Sequence, residues 1–360
     1  MRVVVAKQDL SKAVSLLYKI TDKHAIYKPA AWFKLKATDC FVVEARNDEM
    51  HLRMNIPADV WEEGETCVQA GVFLEIVQSS KSKILELRTE GDKLVIDGND
   101  VIDEISIKPI EEFPEFPKCD YRYSLPVNKL KESVEKVGFA VGDDKSCRAN
   151  PLNHLLIHGR GEYLNIVGCD GYRLAVFKVD IPFSETIYIY NQALKVLPNL
   201  LKTAKGDVKI GVCEDREKCV CLAGENFELA VRVDVGYDYP DYESAIPSGC
   251  NTLIELHAED LRRVLESLVR EPKVIFELTE SSEGFTVKTK EHFNNETEAW
   301  VRGRVVGKDL TIAFKPKQLL DFLKGIKHYI QIELTDEESP VVFVADKNYL
   351  YVVMPVLLNS

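Results

Sequence analysis

The stretch Gly168-Cys169-Asp170-Gly171-Tyr172-Arg173-Leu174-Ala175-Val176-Phe177 reads as the turn of a β-hairpin and the strand that leaves it. A strand-like run, Tyr163 to Val167, leads in, and Leu174 to Val179 leads out. Asp170-Gly171 between two apolar runs is the turn signal, because glycine takes positive φ at no steric cost. Taken alone, such a hairpin says little about function, and Arg173 beside it reads as a solvated turn residue. Its meaning comes from the rest of the chain.

At 360 residues the chain exceeds one ordinary core and fits two or three domains. No apolar run reaches the roughly 18 residues that a membrane span needs, so none is expected. Met1 to Lys7 is apolar for too few residues to be a signal segment and reads as a first strand. A cytoplasmic location is expected. Apolar residues at helical spacing predict helices over Lys7–Ile20, Pro126–Val137 and Ala258–Arg270. They recur at intervals of roughly 120 to 130 residues, too long for a solenoid and suited to three similar domains. Each third holds a second helix: Ala70–Lys83, Asn191–Lys205 with Pro198 set to kink or split it, and Lys315–Lys327. Between helices the chain alternates as strands do, for example over Lys93–Asp97, Val274–Leu278 and Tyr349–Val353. Phe113-Pro114-Glu115-Phe116-Pro117 and Tyr239-Pro240-Asp241-Tyr242 through Pro247 read as stiff, extended joints. The expected domains are therefore 1–117, 118–247 and 248–360.

Nine cysteines are too dispersed for a secreted disulfide framework. Cys213, Cys219 and Cys221 stand together, with Cys219 and Cys221 on one strand face and Cys213 across a hairpin. Three thiolates could hold zinc, or two could pair. No fourth ligand is apparent, so a buried apolar role is expected and no metal or cofactor is assigned.

The net charge is −12, which argues against a surface that grips nucleic acid everywhere. Its distribution is uneven. The six helical segments hold eighteen Lys and Arg against eight Asp and Glu, a balance of +10, so the remainder carries −22. Helix propensity alone would favour Glu as much as Lys. A basic lining on the helices is the better reading.

The hairpin stretch resembles the Asp-Gly-His-Arg-Leu-Ala segment of the bacterial DNA polymerase sliding clamps, with Tyr172 in place of the usual His. Other segments resemble that family in the same order. They are Phe139-Ala140-Val141 with Asn150 to Leu156, Asn191 to Leu201, Tyr239 to Pro247, Phe314 to Leu323, and Tyr351-Val352-Val353-Met354-Pro355. The resemblance spans the whole chain. It implies an α+β fold, the DNA clamp fold: three similar domains of antiparallel sheet with two helices each. It also implies a homodimer closed head to tail into a ring, with the helices facing double-stranded DNA. Departures are Ser244, where the family often has Arg, and a short connection over Leu268 to Val274.

Carried over by position, the resemblance implies a pocket for peptides of polymerases and clamp loaders. Leu152 and the turn residues Cys169, Gly171, Tyr172, Arg173 and Leu174 form part of it. Pro240, Ser244 and Ala245 come from the second joint, and Val352, Met354 and Pro355 from the C-terminal run. Leu152, Leu174, Val352 and Met354 supply apolar surface, and Arg173 could orient a peptide carbonyl or carboxylate. The run Tyr349 to Leu358 is expected to end the last sheet and then cross towards Leu174 and Leu152. DNA-facing candidates are Lys12, Lys19, Lys23, His24, Lys28, Lys145, Arg148, Lys195, Lys202, Lys205 and Lys317. An enzyme is the first rival, but no phosphate loop, His-Glu-x-x-His or Gly-x-Ser-x-Gly is present. The second rival is a ring that binds only proteins.

Overall fold

The computed structural model describes residues 1–99, 101–144, 151–213, 218–233, 238–289 and 297–358. Its six α-helices are α1 (Lys7–Leu17), α2 (Ala70–Ser79), α3 (Val127–Val137), α4 (Leu197–Thr203), α5 (Ala258–Ser267) and α6 (Pro316–Leu323). Each starts within one residue of the predicted position, apart from α4, and each except α3 stops short of the predicted end. After α1 the chain tightens into a 3-10 turn over Tyr18–Ile20, and after α2 Ser80 is already out of helical geometry. Pro198 splits the fourth expected helix as its missing N–H demands. Asn191–Lys195 is a 3-10 turn, and α4 begins at Leu197 with the proline in its first turn. The predicted apolar stripe of α1 is its buried face: Leu10, Ala13, Val14 and Leu17.

All strand pairings are antiparallel and form four sheets among the described residues. The chain divides into two compact units, Met1–Glu132 with Gln192–Asp234, and Ser133–Asn191 with Val235–Ser360. The first unit holds a five-stranded and an eight-stranded sheet, the second a nine-stranded and a four-stranded sheet. The two large sheets arise by one device. In the first unit Phe227–Arg232 pairs edge to edge with Met50–Ile56, and in the second Tyr349–Val353 pairs with Arg173–Val179. A continuous ladder satisfies backbone groups that a loop joint would leave to water. Strands from different thirds of the sequence thereby share one sheet.

The cysteine cluster is real, but its partner comes from elsewhere. Cys221 forms a disulfide with Cys119, 102 residues away, and Cys213 and Cys219 are buried beside it. Cys213 faces Cys219 across the hairpin, as the spacing predicts. Cys119 escapes sequence reading because the strand pairing of Asp120–Pro126 with Asp207–Cys213 is what brings it close. Among the described residues no helix is long and apolar enough to cross a membrane.

Candidate functional site

The hairpin turn is an Asx turn. Asp170 Oδ1 accepts from the backbone N–H of Tyr172 and of Arg173, each at 2.9 Å, and Asp170 N donates to Arg173 O at 3.2 Å. Gly171 has φ +89°, which a residue with a Cβ rarely adopts, and its Cα side faces Leu152 Cδ1. Gly168 answers a different demand. A Cβ there would stand 2.3 Å from the carbonyl oxygen of Val137, so the strand can approach the end of α3 only without one.

Arg173 braces this turn. Its Nε donates to Asp170 Oδ2 (2.9 Å), one terminal nitrogen to Asp321 Oδ2 (2.8 Å) and the other to Phe139 O (2.6 Å). Burial works against its charge, but the hydrogen bond to Asp321 and the field of Asp170 outweigh it and raise its pKa above the ordinary value. Where the sequence suggested a side chain free to meet a peptide carbonyl, each guanidinium nitrogen already has an internal acceptor. The strand that follows is locked to the C-terminal strand in the register Leu174↔Val352. Tyr351 stacks on Phe322 of α6 and donates its hydroxyl to Gln318 O at 3.0 Å, which fixes that strand to the helix.

Around this seam lies one apolar cluster: Leu156, Val167, Leu174, Val176, Tyr242, Val342 and Val352, with Cys169 packed against it. The predicted Leu174, Val352 and Cys169 are thus brought together. Leu152 is buried beneath the turn, where Gly142 N donates to its carbonyl oxygen (2.9 Å). The residues left open to solvent are Tyr172 (68% exposed) and Met354 (39% exposed), with Gly171, Pro240, Ser244 and Ala245 also exposed. Pro355 is half-buried. Leu174 and Val352 therefore form a floor, with Leu152 beneath Gly171, and Tyr172 and Met354 a rim. Ser244 turns inward on its own loop, donating to Asp241 O at 2.7 Å. A cavity of about 670 Å³ against the joint takes in Ser244 and Ala245 but neither Leu174 nor Val352.

Sequence reading missed Tyr242, whose hydroxyl accepts from Asn165 Nδ2 at 3.1 Å while its ring covers the cluster. It also missed Val342 and Val167. The alternation Val342, Val344 and Leu350, Val352 carried that signal, since alternate strand residues share a face. The expected path of the tail holds only as far as Met354, whose N–H donates to Tyr172 O at 2.9 Å. Beyond it the chain turns away from Leu152. Val356 N donates to Ala313 O (2.8 Å), and the carbonyls of Leu357 and Leu358 each accept from Lys273 Nζ at 3.0 Å. A buried ammonium must be hydrogen-bonded, and these carbonyls serve Lys273.

Of the cationic candidates expected on the fourth helix, only Lys202 lies on α4; Lys195 is in the 3-10 turn before it and Lys205 lies beyond its end. In the first unit Lys12, Lys19, Lys23, His24, Lys28, Lys195, Lys202 and Lys205 are exposed, and in the second so is Lys317 of α6. Lys23 Nζ lies 5.1 Å from the Tyr18 ring and Lys195 Nζ donates to Gln192. Among the described residues none of these lysines has a carboxylate partner within 4.0 Å, so their charge faces outward unneutralised. Lys145 and Arg148 lie outside the described residues.

Sheets extended edge to edge, with two helices in each third of the chain, define the DNA clamp fold. The Bacillus subtilis sliding clamp superposes with a TM-score of 0.90 at 20% identity, covering 99% of both chains. The DNA polymerase III beta subunit of Thermotoga maritima superposes with a TM-score of 0.86 at 28% identity, again over 99% of both. Residues 124–241 match the family model for the central domain of the DNA polymerase III beta subunit. The beta sliding clamp of Chlamydia pneumoniae is 22% identical over 372 aligned positions, covering all of both chains. Over residues 124–241 the chain matches the bacterial DNA polymerase III beta subunits, and over its whole length it is similar to the beta sliding clamps.

Proposed function

We infer that the chain is a non-catalytic DNA sliding clamp of the replicative polymerase. Two copies close into a ring around duplex DNA, without reading its sequence. Polymerase and clamp-loader proteins are tethered through short peptides seated between the Tyr172–Met354 rim and the joint at Pro240. The chain comprises three similar domains, 1–117, 118–247 and 248–360, needs no cofactor, and works in the cytoplasm. Eleven of the twelve pocket residues and the exposed lysines carry the roles that the resemblance gives them, while Arg173 holds the turn in shape.

One observation carries the ring. Two joints follow one rule: the last strand of a third pairs with the strand preceding the mid-domain crossover of another, Phe227–Arg232 on Met50–Ile56 and Tyr349–Val353 on Arg173–Val179. Applied a third time, the rule calls for Ile102–Ser106 to meet Glu298–Arg302. Both are outermost strands of their sheets, five-stranded and four-stranded, and Ile102 (59% exposed) and Trp300 (61% exposed) lie bare on them. An open apolar edge seeks a partner. A head-to-tail contact between two copies would join them into a sheet of nine strands and, repeated once, would close.

The test is loading onto nicked circular DNA. The clamp should stay on the circle and leave when the circle is cut, and salt should weaken it little once it is closed. Lys12→Glu, Lys195→Glu and Lys202→Glu together should slow loading or sliding without any change in sequence preference. Equal retention on circular and linear DNA would show a binder and not a ring.

A further inference from the structure

The first unit holds a groove with the backbone geometry of the Tyr172–Met354 site and the opposite chemistry. Asn47 makes the same turn as Asp170: its Oδ1 accepts from Glu49 N (2.8 Å) and Met50 N (2.7 Å), and its N donates to Met50 O (2.9 Å). Arg232 N donates to Glu49 O (2.8 Å) as Met354 N does to Tyr172 O. Val231 pairs with Met50 as Val353 pairs with Arg173. The joint Phe113-Pro114-Glu115-Phe116 corresponds to Tyr239-Pro240-Asp241-Tyr242. By these registers His51 stands for Leu174, Glu44 for Val167, Lys34 for Leu156, Arg46 for Cys169 and Arg232 for Met354. An apolar floor is thus exchanged for a charged one beneath a cavity of about 670 Å³.

Most of these charges are settled internally. His51 Nε2 lies 2.9 Å from Glu44 Oε2, and Lys34 Nζ 3.1 Å from Glu115 Oε1. Arg46 and Arg232 differ in lacking a carboxylate, since among the described residues neither has one within 4.0 Å. Arg46 lies 5.3 Å from the Tyr27 ring and one terminal nitrogen donates to Asn47 O at 3.4 Å, but its Nε is buried without an acceptor. Two arginines lining one groove call for discrete anions. Asp48, Glu49 and Glu115 also line it, so an anion has to reach the arginines as a single, well-placed carboxylate, which a continuous phosphate backbone cannot do. We propose that this groove docks an acidic peptide segment of a partner protein, whose carboxylates meet Arg46 and Arg232. This rests on reading the Tyr172–Met354 groove as a peptide site, because the two share their backbone frame.

The experiment titrates the full-length protein with two fluorescein-labelled peptides and a short DNA duplex. One peptide contains Leu, Gly, Ser and two Asp; the other is apolar with one Gln. The acidic peptide should bind, bind more weakly as salt rises, and lose about tenfold in affinity when its Asp residues become Asn. Arg46→Gln with Arg232→Gln should cost at least as much, and Arg232→Gln alone, an exposed change that cannot disturb folding, a measurable part of it. The apolar peptide should neither compete nor respond to these changes. Absence of binding, equal affinity for the Asn peptide, an unaffected Arg232→Gln protein, or preferential binding of the duplex at this groove would each overturn the proposal. Failure of the apolar peptide alone would count only against the Tyr172–Met354 site.

Discussion

Met354 is an exposed, flexible thioether whose backbone is pinned to Tyr172, so its side chain is free to adapt while its position is fixed. Met354→Ala should weaken binding of a polymerase-type peptide by roughly ten- to hundredfold, the worth of about 1–3 kcal/mol of apolar contact, and leave the dimer intact. Fluorescence anisotropy beside sedimentation separates the two; unchanged affinity would move the groove elsewhere. His51 offers a second test. Burial, against the pull of Glu44, lowers its pKa below the ordinary 6.5. The unfolded chain therefore takes up the proton first as pH falls. The stability His51 contributes is whole above about pH 6.5 and is lost as pH falls through that value towards the lower folded one. The urea midpoint should drop between about pH 7.5 and about pH 5.5 more steeply in the parent than in His51→Gln. Parallel profiles would place the titration on other groups.

Gly168 ties the hairpin to a helix end. Gly168→Ala forces a Cβ against the Val137 carbonyl, backbone against backbone, so neither side can rotate away. A loss of about 1–3 kcal/mol is expected in urea unfolding. A neutral result would mean that the strand shifts at no cost. At this scale much was legible beforehand. Helix starts, the split at Pro198, and strands such as Val274–Leu278 all follow from local spacing and backbone chemistry. Helix ends were not, because the last turn tightens or frays according to what the chain must reach next. The Cys119–Cys221 link was hidden for the same kind of reason: nothing local to Cys221 points 102 residues back.

For the whole molecule, the proposed ring rests on the two open strand edges. Ile102→Asp with Trp300→Asp places charge on both edges while touching only exposed side chains. Sedimentation at micromolar concentration should then show a folded monomer where the parent is a dimer. A persistent dimer would mean that the chain closes through other surfaces. The sequence by itself determined the threefold rhythm, the basic helices against an acidic remainder, and the hairpin whose residues mark the candidate groove. Those are properties of spacing and composition, which one chain carries openly. Only the tertiary structure decided that the thirds fuse through continuous sheets, that Arg173 turns inward to Asp170, Asp321 and Phe139, and that Tyr242 completes the apolar cluster. It alone set the charged groove of Arg46 and Arg232 in the frame of the apolar one. Strand pairing joins residues more than a hundred positions apart, and no local pattern encodes which edge will meet which.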